Sequence, residues 1–86
     1  MERRIGTLTI IVYSLEVVPK VQHILSQFAE IIVARQGLNF KAENLHVITV
    51  ILDGQQDQFN ALAGKLGKLQ GIDVRSHSIS IKNQKP

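Results

Sequence analysis

The chain has 86 residues, a formal net charge of +3, 44% apolar and 20% charged residues, and no cysteine. That length supports one domain with a single two-layer core. Disulfides, zinc–thiolate sites and thiol catalysis are excluded, and the excess positive charge, concentrated in Arg3, Arg4, Lys82 and Lys85, is too small and scattered to specify a nucleic-acid partner.

In chain order, Ile5 to Tyr13 reads as a strand, with Leu8, Ile10 and Val12 alternating against Thr7, Thr9, Ile11 and Tyr13. Gly6, Thr7 and Thr9 interrupt this run, so it is not read as a signal peptide. Ser14 to Val18 forms a turn into Pro19, which suits the first helical position because the N–H it lacks has no intrahelical partner there. Val21, Ile24, Leu25, Phe28 and Ile32 then recur at helical spacing. The β-branched run Ile31 to Arg35 predicts a second strand, and Gly37 to Asn44 a polar connection. Leu45 to Leu52 predicts the third strand, closed by an Asp53-Gly54 turn. A second helix follows from about Gln56 to Leu69, with Phe59, Leu62, Ala63, Leu66 and Leu69 on one face and Gly71 at its stop. Ile72 to Ile81 predicts a fourth strand.

The order βαββαβ predicts an α+β ferredoxin-like sandwich with strands one and three central and both helices on one face of an antiparallel sheet. One such domain is expected over residues 1–81, with 82–86 a flexible basic tail. No run approaches the roughly 18 apolar residues that a membrane span needs, and a cytoplasmic protein is expected.

The third strand is apolar on both faces: Ile48, Val50 and Leu52 on one, Leu45, Val47 and Ile51 on the other. An antiparallel sheet with a solvated back should alternate with polar residues, and Thr49 is the main exception. The back face is therefore expected to be covered by another copy of the chain, through Ile11, Tyr13, Leu45, Val47, Thr49 and Ile51. A dimer or tetramer follows.

Gly64 and Gly67 each cost about 1 kcal/mol against alanine inside a helix, so close approach by the first helix, a ligand or a partner backbone is expected there. The string Gly64-Lys65-Leu66-Gly67-Lys68 is not a phosphate loop, since the glycine spacing and the Ser or Thr after Lys are missing. His23, His46 and His77 show no paired ligand spacing. His46 and His77, on two strands, are weak metal candidates that could approach in space; no metal or cofactor is expected. No serine has a recognisable base and orienting acid, so no enzyme is expected. The strands lack the aromatics on which RNA-recognition motifs stack bases.

Several strings together carry a family resemblance: Glu2-Arg3-Arg4-Ile5-Gly6, Pro19-Lys20-Val21, Ile24-Leu25-Ser26, Ile31 to Arg35 followed by Gly37, Val47 to Gly54, and Ala61 to Gly67 with Gly71-Ile72. On these the chain resembles a small bacterial family of regulators of the iron-only hydrogenase system, itself similar to ACT domains and to the metal-binding C-terminal domain of the nickel-responsive repressor. The resemblance implies oligomers that sense small ligands. Against the repressor's pattern, His46 takes the place of its cysteine ligand, while Leu38, Phe40 and a position near Gln27 take the places of its histidines, so the nickel site is not carried over. The likeness to ACT domains implies an effector site at Ser14, Leu15 and Pro19, with Gly64 and Gly67 nearby. The function expected is an oligomeric ACT-like regulatory domain that binds a small effector or partner protein and acts in transcription or assembly. The alternatives are a ligand-free interaction module and a metal sensor using His46.

Overall fold

Period-two alternation in the opening segment sets one face of the sheet against the helices. In the computed structural model, which describes residues 2–82, β1 (Arg4–Val12) buries Leu8, Ile10 and Val12 and leaves Thr7 and Thr9 exposed. Only Lys82 of the expected basic tail falls among the described residues. A short 3₁₀ turn (Leu15–Val17) leads into α1 (Val18–Gln27), where Pro19 is the second helical residue and Val21 and Leu25 are buried.

Ile32 belongs to the strand that the β-branched run Ile31 to Arg35 predicts and does not extend the helical face. Helix α1 ends at Gln27, and a 3₁₀ turn (Ala29–Ile31) drops Ile31 into the core. Ile32 opens β2 (Ile32–Phe40) opposite Leu52. A register shift between Ile32 and Ala34 marks a bulge that leaves Val33 exposed. The connection expected over Gly37 to Asn44 is much shorter than predicted. Gly37, Leu38, Asn39 and Phe40 belong to the strand and pair with Ile48, Val47, His46 and Leu45. The reversal is confined to Lys41–Glu43 and Asn44, whose left-handed backbone (φ 58°) asparagine tolerates.

Strand β3 (Leu45–Gly54) also runs further than expected. Asp53 and Gly54 are its last two residues, paired with Ile5 and Arg4, and not a free turn. Helix α2 (Gln56–Gly67) buries Phe59, Leu62 and Leu66, and the Gln58 side chain accepts a hydrogen bond from the Gln55 backbone N–H (2.9 Å) at its start. Gly71, at φ +82°, turns the chain into β4 (Ile72–Ser80), and its carbonyl accepts from the Tyr13 N–H (2.8 Å).

The sheet order is β2-β3-β1-β4, every neighbouring pair antiparallel. Strands one and three are central, as the connection rules require. The core lies between this sheet and the two helices, with Leu8, Ile10, Ile48, Val50 and Leu52 from the centre of the sheet meeting Val21, Leu25, Phe59, Leu62 and Leu66. Among the described residues no helix is long and apolar enough to cross a membrane.

Candidate functional site

Both helices lie on one side of the sheet, so the odd-numbered positions of β1 and β3 form an uncovered face. Strand pairing arranges it in rows. Leu38, Val47, Ile11 and Asp73 lie side by side across the four strands. The next row is Gln36, Thr49, Thr9 and Arg75, and the one beyond it is Ala34, Ile51, Thr7 and His77. Past the first row, Phe40 pairs with Leu45, and Tyr13 continues β1 beside them.

All six residues expected at a back-face interface (Ile11, Tyr13, Leu45, Val47, Thr49 and Ile51) share this face. Leu38 (55% exposed), Phe40 (44%) and Ile51 (44%) stand well out in water. Leu38 and Phe40 join the patch because β2 extends through a segment expected to be a loop. Their alternation with Gly37 and Asn39 is the period-two signal that would have found them. Ile79, 60% exposed and in line with Ile5, adds an apolar position on β4.

Polar groups flank the apolar positions, and the Gln36–Arg75 row crosses between them. The Tyr13 hydroxyl donates to Asp73 Oδ2 (2.6 Å), and that bond to a carboxylate holds the phenol above its usual pKa. At the rim, Arg3 grips Asp53 with two hydrogen bonds (2.9 and 2.8 Å), which hold the carboxyl below its usual range. A shallow hollow of about 340 Å³ opens beside the small Ala34, lined also by Arg35, Gln36, Thr49 and Ile51.

The five expected effector residues lie on the turn after β1, in the first turn of α1 and in the second half of α2. The Ser14–Val17 turn packs on Gly71, where a Cβ would lie 3.8 Å from Ser14 and 3.7 Å from Val17. Leu15 and Pro19 are exposed. A Cβ at Gly64 or Gly67 would meet no atom within 4 Å, so packing against α1 is not the reason for either glycine, and Ser14, Leu15 and Pro19 lie beyond that range.

His46 and His77 do not approach. His46 shares the helix-side face with Ile48 and sits against Gly37, its Nε2 3.1 Å from where a Cβ would be, while His77 pairs with Thr7 on the open face. Among the described residues no three His, Cys, Asp or Glu side chains gather as a metal ion would require.

A second hollow, about 170 Å³, lies between α2 and β4 and is lined by Gly6, Gln56, Phe59, Ser76 and Ser78 among others. Arg4 Nε donates to Ser78 Oγ (3.0 Å), which donates to Gln56 Oε1 (2.6 Å). Ser78 is thereby tied to an arginine and an amide, a structural link between β1, β4 and α2.

This architecture recurs in proteins of distant sequence. A formyltetrahydrofolate deformylase from Pseudomonas putida KT2440 matches 85% of this chain and 28% of its own, at TM-score 0.62 and 14% identity. CPII from Thiomonas intermedia K12, solved with ADP, AMP and acetate, matches 96% and 94% at TM-score 0.56 and 15% identity. At such identities the likeness defines the fold class alone, an α+β sandwich of four antiparallel strands and two helices. The family is more specific. The model of the TM1266-like family, whose description reads "Iron-only hydrogenase system regulator, putative", matches residues 4–76, and the chain belongs to this family. The uncharacterized protein TM1266 from Thermotoga maritima is 34% identical over 94% of this chain and all of its own, with a TM-score of 0.79. No curated protein matches the chain.

Proposed function

We propose that this chain is a cytoplasmic regulatory domain of the iron-only hydrogenase system that works as a homo-oligomer and responds to a small effector or a partner protein. The open face of the sheet carries the proposal. Tyr13, Leu38, Phe40 and Ile51 are between 44% and 55% exposed there, beside Ile11, Leu45 and Val47. Monomeric proteins rarely leave an apolar patch of this kind uncovered. At roughly 25 cal/mol per Å² of apolar area removed from water, a second copy laid on the face stabilises a domain of this size substantially.

Regulation then comes from binding and not from chemistry: an effector shifts the equilibrium between two states only as far as it prefers one of them. Ser14, Leu15, Pro19, Gly64 and Gly67 remain the candidate effector region. CPII, bound to ADP, AMP and acetate, shows that the same architecture accommodates ligands in another sequence. The exposure of Leu38, Phe40 and Ile51 equally suits a second reading, an interaction module without a small ligand.

The test is a substitution at the centre of the face. Val47→Asp places a carboxylate between Leu38 and Ile11 while leaving the helix-side core intact. Sedimentation of this variant is expected to give a folded monomer under conditions where the parent protein is larger. Equal sedimentation of the two would remove the open face from the assembly.

A further inference from the structure

We infer that the open face packs on the same face of a second copy about one defined two-fold axis, at right angles to the strands and running between the Leu38–Asp73 row and the Gln36–Arg75 row. This rests on the homo-oligomer reading above and supplies its geometry.

Stacked sheets related by a two-fold in the interface plane have two simple arrangements. With the axis along the strands, each row meets itself and β2 lies over the partner's β4. Leu38 then faces the partner's Asp73, and Gln36 faces the partner's Arg75, so each charge meets an uncharged side chain. With the axis across the strands, each strand lies over its own copy and the rows exchange, an isologous contact in which residue i meets j and j meets i.

Charge selects the position of the crosswise axis. Through the Leu38–Asp73 row it would set Asp73 on the partner's Asp73. Through the Gln36–Arg75 row it would set Arg75 on the partner's Arg75. Midway between them, Asp73 faces the partner's Arg75 and the same pair forms again on the other side of the axis. Asp73 can still accept from Tyr13, since a carboxylate has several acceptor positions.

Shape selects the same axis independently. It carries the Phe40 row onto the partner's Ala34 row, so the exposed Phe40 ring meets the 340 Å³ hollow beside Ala34, and Tyr13 meets Thr7. The roughly 30° offset of stacked sheets displaces the outer strands by less than the spacing between rows. One axis thus satisfies both the ion pair and the aromatic knob.

The absence of native cysteine makes the geometry directly testable. Facing sheets lie about 10 Å apart, too far for a disulfide, so a short bismaleimide is the appropriate bridge. Ala34→Cys and Phe40→Cys variants, one carrying a mass tag, are mixed, allowed to exchange subunits and cross-linked. Thr7→Cys with Tyr13→Cys is the second pair, and Ala34→Cys with His77→Cys reports the lengthwise axis. The expected result is a mixed dimer from 34 with 40 and from 7 with 13, severalfold above either variant alone. An oligomer that joins 34 to 77, or joins none of these pairs, overturns the axis and leaves the homo-oligomer standing. A parent protein that sediments as a monomer overturns both.

Discussion

Tyr13 is the one tyrosine of a chain without tryptophan, so its ultraviolet signal reports a single hydrogen bond on the open face. Donation to Asp73 raises its pKa, and the sign of the linkage follows. A raised folded-state value means that the bond stabilises the fold fully below the unfolded tyrosine pKa of about 10 and that this contribution is lost as pH rises through the folded value. Tyrosinate absorbance is expected to appear at higher pH in the parent protein than in Asp73→Ala, and coincident titrations would contradict the bond. Gly64 and Gly67 make the opposite kind of point. Open space surrounds both, so alanine at either position is expected to stabilise the isolated fold by about 0.4–1 kcal/mol through helix propensity and unfolded-state entropy. Thermal melts measure this. A loss of stability at either position in the oligomer would identify it as a surface that another molecule approaches.

At the scale of elements, β1 and α2 meet closely. A Cβ at Gly6 would lie 2.9 Å from Phe59 Cε2, and Phe59 is buried in the core. Gly6→Ala is expected to destabilise by about 1–3 kcal/mol, the usual cost of overpacking, measured by chemical denaturation. An unchanged midpoint would show that the ring can turn aside. The core elements were legible in the sequence because each has one clear period: two in Leu8, Ile10 and Val12, and near 3.6 in Phe59, Leu62 and Leu66. Strand β2 was not legible beyond Arg35, since Gly37 and Asn39 are turn-formers by composition. Long-range pairing with Ile48 and His46 overrides that local preference. For the same reason the exposed pair Leu38 and Phe40 was missed, although the central half of the patch was read from β1 and β3. The effector region was less legible still. Its five residues are suggested by resemblance, and nothing in their spacing along the sequence encodes a common site.

For the whole molecule, the central claim is that 86 residues with a sheet covered on one side are only part of the working unit. The helix side is complete, with Leu8, Val12, Leu25, Ile48, Leu52, Leu62 and Leu66 almost wholly removed from water. The other side presents Leu38, Phe40, Val47, Ile11 and Ile51 around a polar row of Gln36, Thr49, Thr9 and Arg75, a pattern suited to a specific contact and poorly suited to bulk water. Membership of the family described as regulators of the iron-only hydrogenase system agrees with such a unit: in the proposed assembly, subunit contacts would give an effector two states to choose between. The most direct measurement is native mass spectrometry of the protein purified without added ligand. A dimer or tetramer is the predicted result, and any extra mass retained on it would identify the effector. A bare monomer at micromolar concentration would contradict the account.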